Sequence, residues 1–398
     1  MSISVEQAIH YMLELTPTLG IEQVPLEETL GRNLAEDLYA QYAQPPFDRS
    51  PLDGYAVRAS DLTTATPTAP VTLCVVDKLY AGSVTGVSVK AGQAVRLMTG
   101  SMIPDGADCV IRQEDTDFGN RVVRIFQCVS AGSNVCRQGE EYRAGGLLLS
   151  KGQKIDAATI AVAAGAGYRT LPVRRKVKAV ILSTGDELQQ PGEPLHPGQV
   201  YDSNGIYLKV CLQQMGTDVL DIRSVGDNVG RIAAAISHYV GVADLILTTG
   251  GVSVGEKDLM ETAVLQIGGR IIFHGLSMKP GMPTMLSEKN GTLILSLSGN
   301  PFSAAVPFLL LVRPMLARML QDPAWGPHWI IKRAVTSFEK SSPTRRFLRG
   351  IYSADGVVIP SKQANSQMCS MVGCNCLIDL PAGSSPVQVG DALRTLAM

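Results

Sequence analysis

Apolar residues between positions 177 and 311 form short continuous runs that alternate with segments of helical periodicity. A run without internal alternation, such as Leu245-Ile246-Leu247, is typical of a strand buried on both faces of a sheet. Alternation of such strands with helices predicts a parallel-sheet α/β domain. The predicted strands are 179–182, 218–223, 245–247 and 292–297; the predicted helices start at Ser203-Asn204, span 230–240, follow Asp258 and span 303–311.

The N-terminal segment has a helical pattern instead. Ser4 and Gln7 have the spacing of a capping box, which predicts a helix from about residue 4 onward. A second helix is predicted from residue 26 to residue 37, with Leu30 and Leu34 on its buried side.

Two other regions have the texture of small β domains. Short β-rich runs separated by Gly, Pro and Asp occur between 71 and 126 and again after Pro323. We therefore predict an elongated N-terminal domain (1–45 and 140–176), an inserted β-rich domain (46–139), an α/β domain (177–322) and a C-terminal β domain (323–398). The predicted strands of the two β domains are 71–76, 87–89, 94–98, 110–111, 122–126, 330–335, 347–352, 357–359 and 376–380.

Several predicted α/β strands end in polar loops. Because the carboxyl ends of parallel strands meet at one edge of a sheet, we expect these side chains around one crevice. Carboxylates there hold Mg²⁺ well, and a metal ion together with backbone N–H groups holds phosphate. The loop T-G-G-V-S-V-G (249–255) matches neither the dinucleotide-binding fingerprint nor a P-loop. The residues expected at this edge are Asp186, Glu187, Asp227, Ser253, Asp258, Ser298 and Asn300.

These residues also have plain structural interpretations. Asp186 and Asp227 suit helix caps or turns, and Lys279 suits a solvated surface position as well as an anion site. The arginines of T-R-R-F-L-R (344–349) fit either bidentate binding of an oxyanion or the outward face of an edge strand, and composition favours the edge strand.

Composition excludes several classes of function. The 398 residues carry a formal net charge of −1 and 5% aromatic residues, so no nucleic-acid surface is expected. We expect neither a signal peptide nor a membrane span, because the longest apolar stretch, at 308–312, is flanked by Pro307 and Arg313. A cytoplasmic protein is expected. The eight cysteines show no zinc-site spacing, and no Ser-His-Asp order is present.

Seven motifs occur in an order that resembles the MoeA family, the molybdopterin molybdenumtransferases that also form the E domain of gephyrin and of its plant counterpart. The resemblance extends over nearly the whole chain. The motifs are S-P-L-D-G-Y-A (50–56), R-L-M-T-G (96–100), S-T-G-D-E-L (183–188), T-G-G-V-S-V-G-E-K-D (249–258), K-P-G (279–281), S-G-N-P-F-S-A (298–304) and F-L-R-G (347–350).

The resemblance implies an elongated homodimer whose cleft lies between the α/β domain of one subunit and the inserted domain of the other. It implies adenylylated molybdopterin and molybdate as substrates, Mg²⁺ as the divalent cation and AMP as a product. A molybdopterin adenylyltransferase and a molybdoenzyme are possible partners. The implied catalytic residues are Asp53, Thr99, Glu187, Asp227 and Asp258, of which Asp227 and Asp258 also bind metal. The implied substrate-binding residues are Glu141, Gly250, Gly251, Ser253, Gly255, Lys279, Ser298, Asn300, Arg349 and Ser366.

The chain departs from the family pattern at four positions. Cys136 stands where the family has an arginine, Glu141 replaces an aspartate, Met282 replaces a second lysine near molybdate, and Ser298 replaces a proline. Loss of a cation should weaken an oxyanion site, because a charged hydrogen bond contributes ~1.5–3 kcal/mol. Arg137, and Arg345 or Arg346, are the cations available to compensate.

Three hypotheses follow. The first is an active molybdenum insertase, motivated by the ordered motifs. The second is a divergent or non-catalytic relative that binds molybdopterin and scaffolds its delivery, motivated by Cys136, Glu141 and Met282. The third is a nucleotide-handling hydrolase on the α/β domain. It is the least favoured of the three, because it assigns no role to the other domains.

Overall fold

The computed structural model describes residues 2–252 and 259–398. Its α-helices are α1 (Val5–Leu15), α2 (Ala157–Gly165), α3 (Ser203–Gln214), α4 (Val229–Tyr239), α5 (Leu259–Gln266), α6 (Pro301–Pro307) and α7 (Arg313–Leu320). Its strands are β1 (Ile21–Pro25), β2 (Leu38–Tyr39), β3 (Gly54–Val57), β4 (Val71–Leu79), β5 (Gln93–Leu97), β6 (Cys109–Arg112), β7 (Val122–Ile125), β8 (Leu147–Leu149), β9 (Thr170–Arg174), β10 (Lys178–Thr184), β11 (Leu188–Gln189), β12 (Val200–Tyr201), β13 (Asp218–Val225), β14 (Leu245–Thr249), β15 (Arg270–His274), β16 (Met278–Lys279), β17 (Met285–Lys289), β18 (Thr292–Leu297), β19 (Trp329–Arg333), β20 (Arg345–Tyr352), β21 (Val357–Val358), β22 (Cys376–Leu380) and β23 (Ala392–Ala397).

The chain forms two compact units. The first contains Met1–Gln23, Gly31–Ala35 and Pro172–Met398, and the second contains Val24–Leu30 and Glu36–Leu171. The functional cavities described below belong to the first unit. The four finer domain boundaries stay predictions.

The main sheet of the first unit has the strand order β13-β10-β14-β18-β17-β15. Its first four strands are parallel, which confirms the predicted α/β architecture. Strands β17 and β15, which the sequence pattern did not predict, are antiparallel and make the sheet mixed. Asn290 and Gly291, both with positive φ, form the tight turn that joins β17 to β18.

The buried strands pack on both faces, as their continuous apolar runs require. Ala179 and Ile181 of β10 face one core with residues of α1, α3, α6 and α7. Val180 and Leu182 of the same strand face a second core with residues of α4 and α5. Alternate residues of one strand therefore contribute to two cores, which makes this domain a three-layer structure.

The helix predicted at 303–311 is part of a longer run. α6 and α7 are joined without a break by a π-helical turn, Phe308–Val312, next to Pro307. A wider turn of this kind accommodates a proline that cannot donate to the helical ladder. The run Pro301–Leu320 is long and apolar enough to cross a membrane by length and composition alone, but 83% of its most apolar 18-residue window is buried inside the protein. It is a core helix, as in a soluble protein.

The C-terminal sheet has the order β16-β20-β22-β23-β19, with β21 paired to β20. The predicted strands of this region are present, while β16 and β23 were not predicted. Strand β20 lies between β16 and β22, so the interpretation of its arginines as an edge-strand face is wrong.

The N-terminal predictions have mixed outcomes. The capping box is confirmed: Ser4 Oγ accepts from the N–H of Gln7 at 3.1 Å, and the Gln7 side chain accepts from the N–H of Ser4 at 3.0 Å. The helix predicted at 26–37 is wrong. Only a 3₁₀ turn, Leu26–Glu28, forms, and Gly31, with φ +77°, has a backbone conformation that no right-handed helix can continue through. Leu30 is 64% exposed, while Leu34 is buried.

The second unit contains a five-stranded sheet of order β6-β3-β5-β4-β7. Strand β3 lies between β6 and β5 and is buried, and a Cβ at Gly54 would lie 1.9 Å from the carbonyl oxygen of Ile111, so only glycine fits there. The strand predicted at 87–89 is absent. Val89 is instead buried in a loop, where its N–H donates to Asp105 O at 2.8 Å.

Arg349 of β20 is a fully buried cation that anchors one long loop. Its guanidinium donates to the carbonyl oxygens of Gln367 at 2.7 Å and Ala364 at 2.8 Å, and also to Ser370 Oγ. The guanidinium carbon lies 3.8 Å from the ring centroid of Phe302. Burial lowers the pKa of this guanidinium from its ordinary value. The segment 360–371 therefore depends on Arg349 for its position.

We predict that Arg349→Met lowers the free energy of unfolding by at least about 2 kcal/mol, because each carbonyl that loses its buried donor costs ~1–3 kcal/mol. Arg318→Met is the matched control, since Arg318 is exposed on α7. Urea unfolding of both variants tests this. Equal stabilities of the two variants would contradict the anchoring role.

Candidate functional site

The carboxyl ends of β10, β13, β14 and β18 meet at one edge of the main sheet, as predicted. A cavity of about 770 Å³, here called the acidic cavity, opens there. The polar residues that follow the four strands line it together, although they come from separate parts of the sequence. The predicted residues in its lining are Glu187, Asp227, Gly250, Gly251, Ser298, Asn300 and Ser366.

Hydrogen bonds between the strand-end loops fix this rim. Asp186 Oδ1 accepts from the N–H of Asp227 at 3.0 Å. Asp186 therefore stabilises a turn, which is one of the structural interpretations that its sequence position allowed. Asp227 is not the helix cap, because Asn228 caps α4 by accepting from the N–H of Arg231. The Asp227 carboxylate is exposed at the rim.

The glycine pair after β14 is required by close packing. Gly250 has φ +88°, and a Cβ there would lie 2.3 Å from Thr184 O. Its N–H donates to Leu297 O at 3.1 Å. This N–H is therefore already used within the protein. The pair shapes the cavity wall by allowing β14 to turn directly beside β10.

Two lining residues were missed from sequence. Asp202 is 3% exposed and caps α3 by accepting from the N–H of Gly205 at 2.9 Å, so the predicted cap at Ser203-Asn204 lies one residue too late. Asn204 donates from Nδ2 to Gly299 O at 2.8 Å and ties α3 to the loop after β18. The sequence D-S-N-G carried the signal, since Asp is a preferred N-cap.

The acidic cavity takes its name from its charge. Glu187, Asp202 and Asp227 line it, and the described part of its lining contains no lysine or arginine. Within residues 2–252 and 259–398, no group of three or more His, Cys, Asp or Glu side chains is arranged to hold a metal ion by itself. A bound anion in this cavity would need a cation brought with it.

Asn300 and Ser298 form the entrance of the loop after β18. Asn300 is the N-cap residue of α6, but its side chain makes no capping hydrogen bond. Ser298 Oγ accepts from the N–H of Asn300 at 3.3 Å, so the replacement of the family's proline adds a hydroxyl acceptor inside the loop. The Asn300 amide is free of the helix it begins.

Lys279 lies outside the acidic cavity. It lines a second cavity of about 460 Å³, here called the basic cavity, together with Lys340, Arg346 and Lys362. Arg349 lines neither cavity, since its guanidinium is buried against the loop carbonyls described above. The implied role of Arg349 in binding substrate stays a prediction, and its guanidinium is buried in this structure.

Asp53 and Thr99, predicted from separate motifs, are in contact in the second unit. Gly54 of β3 pairs with Leu97 of β5, so the residues flanking this pair are adjacent. Asp53 Oδ1 accepts from the backbone N–H of Thr99 at 2.7 Å and from Thr99 Oγ1 at 2.8 Å. These two hydrogen bonds, the backbone one first, lower the pKa of Asp53.

Glu141 is exposed, and its N–H donates to Gln44 O at 2.9 Å. Ser253, Gly255 and Asp258 lie outside the described residues.

Three arginines are available to compensate for the cations that Cys136 and Met282 replace, and two of them already form ion pairs within the protein. Arg137 binds Asp48 at 2.6 Å. Arg345 binds Asp379 at 2.8 Å and Glu6 at 2.6 Å. Arg346 differs, because it lines the basic cavity with Lys279.

Comparison with family models covers most of the chain. Residues 3–167 match the MoeA N-terminal region (domain I and II), residues 180–318 match a probable molybdopterin binding domain, and residues 333–396 match the MoeA C-terminal region (domain IV).

Similar full-length proteins have related names. A Bacillus subtilis protein named molybdopterin molybdenumtransferase is 33% identical over 404 residues, covering 99% of this chain and 94% of the relative. A Mycobacterium tuberculosis protein named molybdopterin molybdenumtransferase 2 is 37% identical over 402 residues, covering 98% of each. A crystal structure of a molybdopterin biosynthesis MoeA protein from Pyrococcus horikoshii has a TM-score of 0.86 at 30% identity, covering 100% of this chain and 99% of that one. The chain therefore belongs to the MoeA family of molybdopterin molybdenumtransferases, enzymes of molybdenum cofactor biosynthesis.

Proposed function

We propose that this chain inserts molybdenum from molybdate into adenylylated molybdopterin and releases AMP. The observation that carries the proposal is the acidic cavity, where predicted residues from four strand ends and Ser366 of the C-terminal region converge. Its volume suits a ligand of this size, since small-molecule sites span ~300–1,000 Å³. Tyr201 is the aromatic side chain in the described lining, and it offers a face against which a flat ring system can stack.

The charge of the cavity supports a divalent cation as part of the substrate complex. Mg²⁺ is commonly held by one or two carboxylates together with substrate phosphates. Glu187 and Asp227 supply such carboxylates, and Asp258 is the further ligand that the family resemblance implies. When bound, Mg²⁺ would neutralise phosphate charge that the three acids would otherwise repel.

Asp53 is proposed to act as an ionised group. Its two hydrogen bonds from Thr99 stabilise the carboxylate form, so at neutral pH it accepts hydrogen bonds or contacts a cation but has no proton to donate. Thr99 is then the residue that orients Asp53.

The oligomeric state and the cellular location of the chain are also part of the proposal. Family resemblance supports a cytoplasmic homodimer that receives its substrate from a molybdopterin adenylyltransferase and passes its product to a molybdoenzyme. The competing proposal, a non-catalytic scaffold that binds molybdopterin, is motivated by Cys136, Glu141 and Met282.

Incubation of the purified chain with adenylylated molybdopterin, molybdate and Mg²⁺ separates the two proposals. We expect AMP release together with cofactor that activates an apo-molybdoenzyme. Binding of molybdopterin with neither product, while a known family member works in parallel, would identify the scaffold instead.

Asp227→Asn is expected to lower AMP release about tenfold to a hundredfold at fixed Mg²⁺, because it removes one carboxylate from the metal-binding rim. Asp218→Asn is the matched control, since Asp218 is exposed and does not line the cavity. Mn²⁺ binding followed by electron paramagnetic resonance gives a second readout. Equal Mn²⁺ affinity and equal AMP release in both variants would remove Asp227 from the proposed site.

The Asp53–Thr99 contact predicts a pH effect that can be measured directly. The folded-state pKa of Asp53 lies below its ordinary value of 3.8, so its ionisation stabilises the fold above about pH 4 and this contribution is lost as pH falls through the folded pKa. Thr99→Val should raise the pKa part of the way towards 3.8, because the backbone donor remains. Thr99→Ser should leave it low. Carboxyl ¹³C NMR titration measures both, and identical titrations of the two variants would contradict the role of the hydroxyl.

A further inference from the structure

A cavity of about 660 Å³, here called the apolar cavity, lies on the first unit, between α3, the α6–α7 run and the C-terminal region. Its described lining shares no residue with the acidic or the basic cavity. Its volume is typical of small-molecule sites, which span ~300–1,000 Å³. Methionine side chains contribute to its wall, and their flexibility lets them adapt to apolar ligands. They are Met215, Met368, Met371 and Met398.

Arg313 supplies a buried cation to this cavity. The residue is 7% exposed, and its Nη1 donates to Ala397 O at 2.7 Å. In the described part of the chain, Arg313 Nε is buried without a hydrogen-bond partner, and no ion pair joins the guanidinium to a carboxylate. Burial lowers the pKa of this guanidinium from its ordinary value of 12.5. A buried charge without a counter-ion is unfavourable, so the cavity favours a ligand that brings one.

The other polar side chains of the cavity do not neutralise Arg313. The described lining contains no aspartate or glutamate. Burial raises the pKa of the Tyr207 phenol and of the Cys211 and Cys374 thiols above their ordinary values, so all three are neutral at neutral pH. His328, at the exposed rim, adds no negative charge. The cavity therefore combines an apolar wall with one uncompensated cation.

A π-helical turn places this cation beside apolar residues of the same helical run. The N–H of Arg313 donates to Phe308 O, which is the five-residue spacing of such a turn. Phe308, Leu309 and Arg313 all line the cavity. Turns of this kind are frequent at functional sites. One helical run thus supplies both the apolar contact and the charge.

The single cation restricts the charge of a matching ligand. A guanidinium binds one carboxylate through two parallel hydrogen bonds. A neutral ligand would leave Arg313 unpaired, whereas a dianionic phosphate would retain surplus negative charge in apolar surroundings. A monoanion with an apolar body satisfies both parts of the cavity.

We propose that the apolar cavity binds an amphipathic monocarboxylate, such as a medium-chain fatty acid, with its carboxylate on Arg313 and its apolar chain against Phe308 and the methionines. This site goes beyond the proposed function, because no residue of the acidic cavity takes part in it.

Isothermal titration of the full chain with decanoate, decanol and decyl phosphate tests the proposal. The three probes have the same chain length and differ in charge, and each is used below the concentration at which it forms micelles. We expect saturable decanoate binding, with decanol and decyl phosphate each about tenfold weaker or more, because neither pairs its charge with Arg313 as well. Absence of decanoate binding, or binding of either analogue within about tenfold of decanoate, would overturn the proposal.

Arg313→Met should weaken decanoate binding about tenfold or more, as expected for loss of a charge-assisted hydrogen bond. Arg318→Met is the matched control, because Arg318 is an exposed cation of α7 that does not line the cavity. Circular dichroism shows whether each variant is folded. Wild-type affinity in Arg313→Met, or an equal loss in Arg318→Met, would contradict the assignment of Arg313.

Met371→Asp tests the same site with Arg313 in place. Met371 is half-buried in the lining, so an aspartate there adds negative charge to the cavity. We expect decanoate binding about tenfold weaker or more, because like charges brought together repel. Ile331→Asp, at an exposed apolar position outside the lining, is the matched control and should bind decanoate as the wild type does. Equal affinities of the two variants would count against the proposed site.

Trp325 reports where the ligand binds. The chain has two tryptophans; Trp325 lines the cavity, whereas Trp329 lies outside its lining and stacks on Arg394. In a Trp329→Phe background, decanoate should change the Trp325 emission with the dissociation constant that calorimetry gives. Binding heat without any change in Trp325 emission would place the ligand elsewhere and overturn the proposal.

Discussion

The parallel register of β10, β13, β14 and β18 is the constraint on which the functional architecture depends. Parallel strands place all their carboxyl ends at one edge, so side chains more than a hundred residues apart in sequence reach one cavity. The close approach of Gly250 to Thr184 is part of the same constraint, because a side chain at this position would separate β14 from β10. The fold thus sets the shape of the cavity before any ligand is considered.

Charge is distributed unevenly around this architecture. The acidic cavity carries carboxylates, whereas the basic cavity carries four cations. The loop held by Arg349 separates them and contributes residues to both. Under the proposed function, the carboxylates would hold the divalent cation that accompanies the substrate's phosphate.

The sequence predicted much of this arrangement, for identifiable reasons. Continuous apolar runs predicted the parallel strands because both faces of the sheet are buried, and the ends of those strands predicted that Glu187 and Asp227 lie at one edge of the sheet. The hairpin at Asn290-Gly291 was missed although its turn signal is strong. By contrast, nothing local indicates that Arg349 is buried while Arg346, three residues earlier, lines a cavity. That difference depends on register with β16, a two-residue strand without a sequence pattern of its own.

Anomalous diffraction from crystals of the full chain soaked with Mn²⁺ and adenylylated molybdopterin tests the role of the acidic cavity most directly. The proposed function predicts a manganese peak in this cavity beside Glu187 and Asp227. A peak only outside the cavity, or ligand bound elsewhere on the chain, would contradict it.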